Sequence, residues 1–312
     1  MSAPAVAVID IGSNSIKVLV ARRGLDGNLV SLKGRTIDAR ISAGISKAEP
    51  RLTEDGMARG LSAIRELLGD SAPFQPSKTI LVATSAVRDA LNGPEFCARV
   101  LAATGHPIRI LTGDEEADLI GRGLTCDPEL IHLKNFYVFD LGGGSLECLA
   151  FRDRRIEQAL SLRLGCVRLT EKFIADPAAP LRPEDCATLI LHVRDAFKQS
   201  GFRFNLPAAE AVFTGGTMTS VRLIGGALHG ASLADTPSTI PVGTLRDLLD
   251  KVGPLSLHER KQIPGMPAAR ADVFPAALVT AVTLAEYGLF ERFHHSLFNL
   301  RWGLASTALE SV

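Results

Sequence analysis

Val6-Ala7-Val8-Ile9-Asp10-Ile11-Gly12-Ser13-Asn14-Ser15 stands near the start of the chain, and Phe136-Tyr137-Val138-Phe139-Asp140-Leu141-Gly142-Gly143-Gly144-Ser145 returns to its pattern. In both, an apolar strand ends in Asp. An apolar residue, a Gly, two small residues and a Ser follow, and a second strand begins. Asp10 and Asp140 are separated by about one domain length, so the repeat predicts two related halves facing one another across a cleft. One copy alone would read equally well as a β-hairpin turn; two copies with matched Asp, Gly and Ser favour a binding loop. Gly, Ser and Asn let the backbone curl until successive N–H groups point at one anion, and the hydroxyls add donors. An Asp at the strand end repels phosphate directly and would act through Mg²⁺, as ligand or by holding the metal's water. No G-x-x-x-x-G-K-[ST] loop occurs, which sets P-loop NTPases aside.

Outward from these turns, short β-rich runs alternate with amphipathic helical patterns, the order of an α/β fold. Strands are expected at residues 5–10, 16–21, within 29–41, 78–84 and 108–111. Thr53 suits an N-cap before Met57, Leu61, Ile64 and Leu68 at helical spacing. Pro94 suits the first turn of a helix that Gly105 would cap, and another helix opens near Asp114. The pattern then restarts with strands at 135–140, 146–151 and 155–162, the last two joined by a turn at Asp153-Arg154. Helices at 166–173 and 184–199 follow, then a strand at 209–214 and a Gly-Gly turn into a helix at 217–223. The last third reads as helices at 244–252, 257–262 and 271–287, with Pro275 in the first turn of the last. A strand at 296–300 and a C-terminal helix complete the expectation. Residues 176–183 and 231–241 read as exposed loops. The expected domains are 1–122 with 297–312, and 123–296.

The 312 residues carry 34 Lys+Arg against 34 Asp+Glu, a formal net charge of zero, which excludes a polybasic nucleic-acid binder. With 46% hydrophobic and 22% charged residues, the composition is that of a globular protein too long for one core. The five cysteines are Cys97, Cys126, Cys148, Cys166 and Cys186; their odd number and wide spacing, without C-x-x-C, argue against a disulfide framework or a zinc site. No signal-peptide pattern or bilayer-length apolar run is present, so a cytoplasmic protein without membrane or nucleic-acid partners is expected.

Several motifs together resemble the exopolyphosphatase/guanosine pentaphosphate phosphatase family of the actin-like ATPase superfamily. They are Asp10 to Ser15; Ala83-Thr84-Ser85-Ala86-Val87-Arg88-Asp89-Ala90 with Asn92; Gly113-Asp114-Glu115-Glu116-Ala117; Asp140 to Glu147; Gly215-Gly216-Thr217; and Arg270-Ala271-Asp272. The resemblance implies two actin-like (RNase H-like) α/β domains, mixed sheets flanked by helices, with an interdomain cleft. It implies a Mg²⁺- or Mn²⁺-dependent hydrolase acting on polyphosphate or guanosine pentaphosphate, and a homodimer is compatible with it. Lys17 stands where the family often has Arg, and Asn299-Leu300-Arg301-Trp302-Gly303 departs from its G-L-R-x-G. Long members continue into a further helical domain that this chain lacks, which points toward short polyphosphates or nucleotides.

Hydrolysing a phosphoanhydride requires a water, a group to orient or deprotonate it, and positive charge on the transferring phosphoryl. The resemblance makes Glu116 the general base, with Glu115 the structural member of the pair; alone, two acids at a helix start read as dipole partners. Glu147 would orient the water or a metal, and Asp140 and Asp10 would be metal-associated carboxylates. Phosphate binding falls to Gly12, Ser13, Asn14 and Ser15, to Gly143, Gly144 and Ser145, to Arg88 as a bidentate clamp, and to Gly216 and Thr217 at a helix N-terminus. Thr84 could add a hydroxyl. Arg270 would bind distal phosphates or pair with Asp272. His294-His295 are adjacent and cannot converge on one metal, so they read as surface or interface residues. Two other functions remain open: an ATP-dependent small-molecule kinase or phosphotransferase of the same superfamily, and a non-catalytic polyphosphate or nucleotide sensor.

Overall fold

The computed structural model describes residues 3–43, 45, 49–207 and 209–310, and the chain divides into two compact units. One is Met1–His132 with Phe298–Val312, the other Leu133–Leu297. The limit expected at residue 122 falls inside a helix, Gly113–Thr125, and the first unit runs on to His132.

The first unit is built on β1 (Ala5–Ile11), buried along its whole length as its Val/Ile/Ala composition requires of a central strand. β2 (Ile16–Arg23) and β3 (Leu29–Ile37) follow it antiparallel; β4 (Lys78–Ala83) and β5 (Ile108–Ile110) add parallel on the other side, giving the order β3-β2-β1-β4-β5. Thr53 caps α1 (Glu54–Ser71), its side chain accepting from the Gly56 N–H at 3.0 Å. The buried face of α1 is Met57, Gly60, Ala63, Ile64 and Leu67, with Leu61 and Leu68 only half-buried. Two short elements, α2 (Ser85–Asp89) and α3 (Gly93–Thr104), follow β4, and Gly105 ends α3 at φ 74°, as expected. α4 (Gly113–Thr125) packs against the C-terminal helix, Leu300–Glu310, which also covers β1.

The second unit repeats this plan. β6 (Phe136–Leu141), β7 (Leu146–Arg152) and β8 (Arg155–Leu162) form an antiparallel meander, with Asp153 and Arg154 at φ 48° and 61° in the expected turn. α5 (Cys166–Phe173) and α6 (Pro183–Ser200) lead to β9 (Glu210–Thr214), parallel to β6, and to α7 (Gly216–Ala227). An unpredicted β10 (Thr239–Pro241) lies within the segment read as a loop; Pro237 just before it and Pro241 at its end disguise an edge strand. α8 (Val242–Val252), α9 (Leu257–Lys261) and α10 (Phe274–Gly288) follow. α10 starts three residues later than expected, because Pro275 tolerates helix only from its own first turn. The final strand, β11, is Arg292–His295 and not 296–300. Its partner β9 ends at Thr214, opposite Ser296, whose N–H still donates to the Phe213 carbonyl, so β9 offers no partner to residues beyond Ser296. The sheet order is β10-β11-β9-β6-β7-β8. Its core is rich in aromatic rings, Tyr137, Phe139, Phe213 and Phe293 among them, whereas the first unit's is largely aliphatic. Among the described residues no helix is long and apolar enough to cross a membrane.

Candidate active site

Both repeated turns close the same way: the Gly12 N–H donates to the Ser15 carbonyl at 3.2 Å, and the Gly142 N–H to the Ser145 carbonyl at 3.0 Å. Their other carbonyls are tied from outside. In the first turn, the N–H groups of Arg40 and Ser42 donate to the carbonyls of Asn14 and Ser13, and Arg40 Nε reaches Asn14 Oδ1 at 3.2 Å. In the second, the opening of α5 supplies the donors: Cys166 N–H to Gly142 O, and Val167 and Arg168 N–H to Gly143 O. Arg168 Nε adds a bond to Gly144 O at 2.9 Å. Committing the carbonyls leaves the N–H groups of residues 13–15 and 143–145 with no acceptor among the described residues, the condition for an anion nest. Arg168, buried, and Gly165, where any Cβ would strike the backbone of Gly143 and Gly144, were not singled out in the sequence. Leu164-Gly165 just before a helix was the one available signal. Ser13 Oγ shares a hydrogen bond with Ser85 Oγ at 3.1 Å, while Asn14 Nδ2 is buried without a partner.

The strands leaving these turns carry the chemistry, and the repeat diverges there. Register sets Asp140 beside Glu147 on one side and Thr214 on the other, and Glu147 beside Ser161. Opposed side chains in such a ladder share a face, with Cβ atoms about 5 Å apart. Thr214, Asp140, Glu147 and Ser161 thus form a polar row across four strands. Ser161 Oγ donates to Glu147 Oε1 at 2.7 Å, and Glu147 is buried. In the first unit the equivalent row is Val82, Asp10, Lys17 and Thr36. Burial raises the Asp10 carboxyl above its ordinary range, opposed by the charges of Lys17 and Arg301. Lys17, where the family often has Arg, and Arg301 therefore meet at Asp10, which has cations beside it where Asp140 has a second carboxylate.

Glu116 and Arg88 come together. Arg88 Nη1 donates to Glu116 Oε2 at 2.9 Å and to the Leu111 carbonyl at 3.0 Å; Glu116 is buried in the first turn of α4. Arg88 Nη2 has no acceptor among the described residues. Glu115 completes a capping box with Thr112 and pairs with Arg109, and the Thr112 N–H lowers its carboxyl first and most. Thr84 precedes α2, its N–H donating to the Ile11 carbonyl. Asn92 bonds both backbone groups of Leu52 and has a structural task.

At the third Gly-rich turn, Gly215 takes φ 100°, and a Cβ there would meet Asp140 Oδ1 at 2.7 Å and the Leu141 carbonyl at 2.9 Å. Gly216 is overlain by the Arg270 guanidinium, and Thr217 Oγ1 is buried without a partner. Arg270 makes no hydrogen bond or ion pair among the described residues, so its pairing with Asp272 does not form. His294 contacts Glu210 at 3.1 Å; His295 is buried, not a surface residue. The cysteines are free, and burial raises the Cys148 thiol.

The model of the Ppx/GppA phosphatase family matches residues 8–310. The chain belongs to that family. Coverage is nearly complete against solved Ppx/GppA structures. The Aquifex aeolicus family member is 22% identical, with 99% of each chain covered and a TM-score of 0.80. An exopolyphosphatase from Cytophaga hutchinsonii is 21% identical, with 99% of this chain and 98% of that one covered and a TM-score of 0.87. An exopolyphosphatase-like protein gives 23%, the same coverage and 0.87. Two mixed sheets flanked by helices in two actin-like units are thus the Ppx/GppA fold, and the coarse activity that accompanies membership is that of a phosphatase.

Proposed function

We propose that the protein is a metal-dependent phosphoanhydride hydrolase that releases the terminal phosphate of short inorganic polyphosphate or of guanosine pentaphosphate. The observation that carries this reading is the Arg88–Glu116 pair: a buried carboxylate beside a guanidinium whose Nη2 is uncommitted. In such a pair the Glu116 carboxylate is fixed in place to take a proton from water, while Nη2 is available to a phosphoryl oxygen. Water attacks the terminal phosphorus, its proton passes to Glu116, and the P–O bond to the rest of the chain breaks with its electrons on the leaving phosphate. Ser13, Asn14 and Ser15, with Gly12 shaping their turn, and Gly143, Gly144 and Ser145 offer N–H groups to phosphate; Gly216 and Thr217 add the N-terminus of α7, with Arg270 over it.

The polar row suits a hard cation. Mg²⁺ keeps several waters and takes one or two carboxylates plus substrate phosphate, and Asp140 and Glu147 supply such a pair, although no cluster of three or more acid, His or Cys ligands occurs among the described residues. A bound Mg²⁺ or Mn²⁺ would neutralise charge on the phosphoryl oxygens. Asp10, with Lys17 and Arg301 near it, is better suited to balancing those cations than to ligating a metal. Phosphate release measured on tripolyphosphate, long polyphosphate, guanosine pentaphosphate and ATP, with and without Mg²⁺, tests the reading. Release from tripolyphosphate or guanosine pentaphosphate without an acceptor supports it; ADP formed only with an acceptor present replaces it with a kinase.

A further inference from the structure

A second set of buried polar groups stands behind the third Gly-rich turn. His295 ends β11 at 3% exposure, and Arg222 in α7 is 9% exposed. Arg222 Nη1 lies 3.1 Å from His295 Nδ1. A guanidinium has only donors, so Nδ1 accepts and the ring proton resides on Nε2. Nε2 lies 3.4 Å from Thr219 Oγ1, which receives that proton and donates its own to the Gly215 carbonyl at 3.1 Å. Every bond therefore runs one way, from the guanidinium to Gly215, and aligned bonds of this kind strengthen one another. The rest of the guanidinium faces the other direction. Nε donates to Thr236 Oγ1 at 3.1 Å, and Nη2 to the carbonyls of Leu233 and Thr236, both at 2.6 Å. Thr236 belongs to the wall of an open pocket of about 430 Å³ that Val221, Gly226 and Ile240 also line.

We propose that Arg222 and His295 are positioning residues that act through Thr219 to hold the Gly215–Thr217 turn in its phosphate-receiving form. The inference rests on the phosphatase reading for what the turn receives, but not for its conformation. Gly215 has the most backbone freedom of any residue type and adopts φ 100°, so its geometry is imposed by its neighbours. Its carbonyl is anchored by Thr219 Oγ1 and, at 3.4 Å, by the Thr219 N–H. His295 cannot serve as a metal ligand at Nδ1, which faces a cation. It stays a neutral relay, because burial and Arg222 lower its pKa to about 3. The same guanidinium fixes the 233–236 loop, so turn and loop share one anchor.

Amide exchange on the ligand-free full chain, beside kinetics on tripolyphosphate, tests this. His295→Leu and Thr219→Val should each speed exchange of the peptide spanning residues 215–224 about fivefold, the loss of one hydrogen bond, leaving the β1–β2 turn unchanged. KM for tripolyphosphate should rise by a similar factor with kcat within about twofold, and the double variant should be no worse than either single one. His295→Asn keeps an acceptor for Arg222 and should preserve exchange of the 233–236 loop. Unchanged exchange at 215–224, an increase spread over the whole second unit, or additive effects on exchange in the double variant would overturn the proposal. Absence of phosphate release by the wild-type protein would remove the hydrolase reading, while the exchange data would still decide whether the network holds the turn.

Discussion

Glu115 and Glu116 are neighbours on α4 with opposite tasks, because adjacent helical residues point about a quarter-turn apart. Glu115 closes the capping box with Thr112, and Glu116 turns inward to Arg88. Glu116→Gln should lower phosphate release by about 10²- to 10⁴-fold with little change in Tm. Glu115→Ala should lower Tm slightly by opening the capping box and retain turnover; assays on the two purified variants separate the roles. His295 adds a pH signature. Its pKa falls from 6.5 to about 3 on folding, so the unfolded chain binds the proton first. That contribution is complete above pH 6.5 and is lost as pH falls toward 3. Urea unfolding should show about 2 kcal/mol less stability from this residue at pH 5 than at pH 7, and His295→Asn should remove that part of the slope. The Glu pair was readable from helical spacing and resemblance. His295 was not, since its strand β11 pairs with β10, a segment far back in the chain whose flanking Pro237 and terminal Pro241 read as loop.

At the scale of elements, a phosphate turn owes its shape to what ties its carbonyls. α5 serves the second turn through its first N–H groups and Arg168, and Gly165 permits that approach. Gly165→Ala should destabilise the second unit by about 1–3 kcal/mol, as overpacking does, and raise KM, measurable by denaturant unfolding and steady-state kinetics. Gly123 and Gly303 allow α4 and the C-terminal helix the same intimacy: a Cβ at either would strike the partner's backbone, at Asn299 and Leu119. The strands flanking both repeated turns were readable because apolar runs, Asp and Gly-Ser turns are local signals. Carbonyl tying was not, because Arg40, Ser42 and Arg168 reach the turns from chain segments with no local signature. The strand expected at 296–300 failed for a related reason, as a strand requires a partner and β9 ends opposite Ser296.

Across the whole molecule, one motif occurs twice with different charge. The second unit opposes Asp140 with Glu147; the first opposes Asp10 with Lys17. Two carboxylates suit a divalent cation, whereas an acid beside Lys17 and Arg301 forms a neutralised cluster. Asp140→Asn or Glu147→Gln should therefore shift the Mg²⁺ concentration for half-maximal activity upward by tenfold or about that, while Asp10→Asn should leave it in place; Mg²⁺ titration of activity checks both. The zero net charge of the chain is consistent with this economy of cations.

The path of the chain has a consequence for biosynthesis. Leu133–Leu297 is one uninterrupted stretch, but the first unit is completed only by the residues after it. A ribosome therefore delivers every strand of the second unit before it delivers the helix that covers α4 and β1, and Arg301 arrives beside Asp10 last of all. Until then, the glycine-marked face of α4 waits uncovered. A premature stop near the end of the message would leave the second unit intact and the first without its lid, a product that quality-control proteases would recognise by its first half.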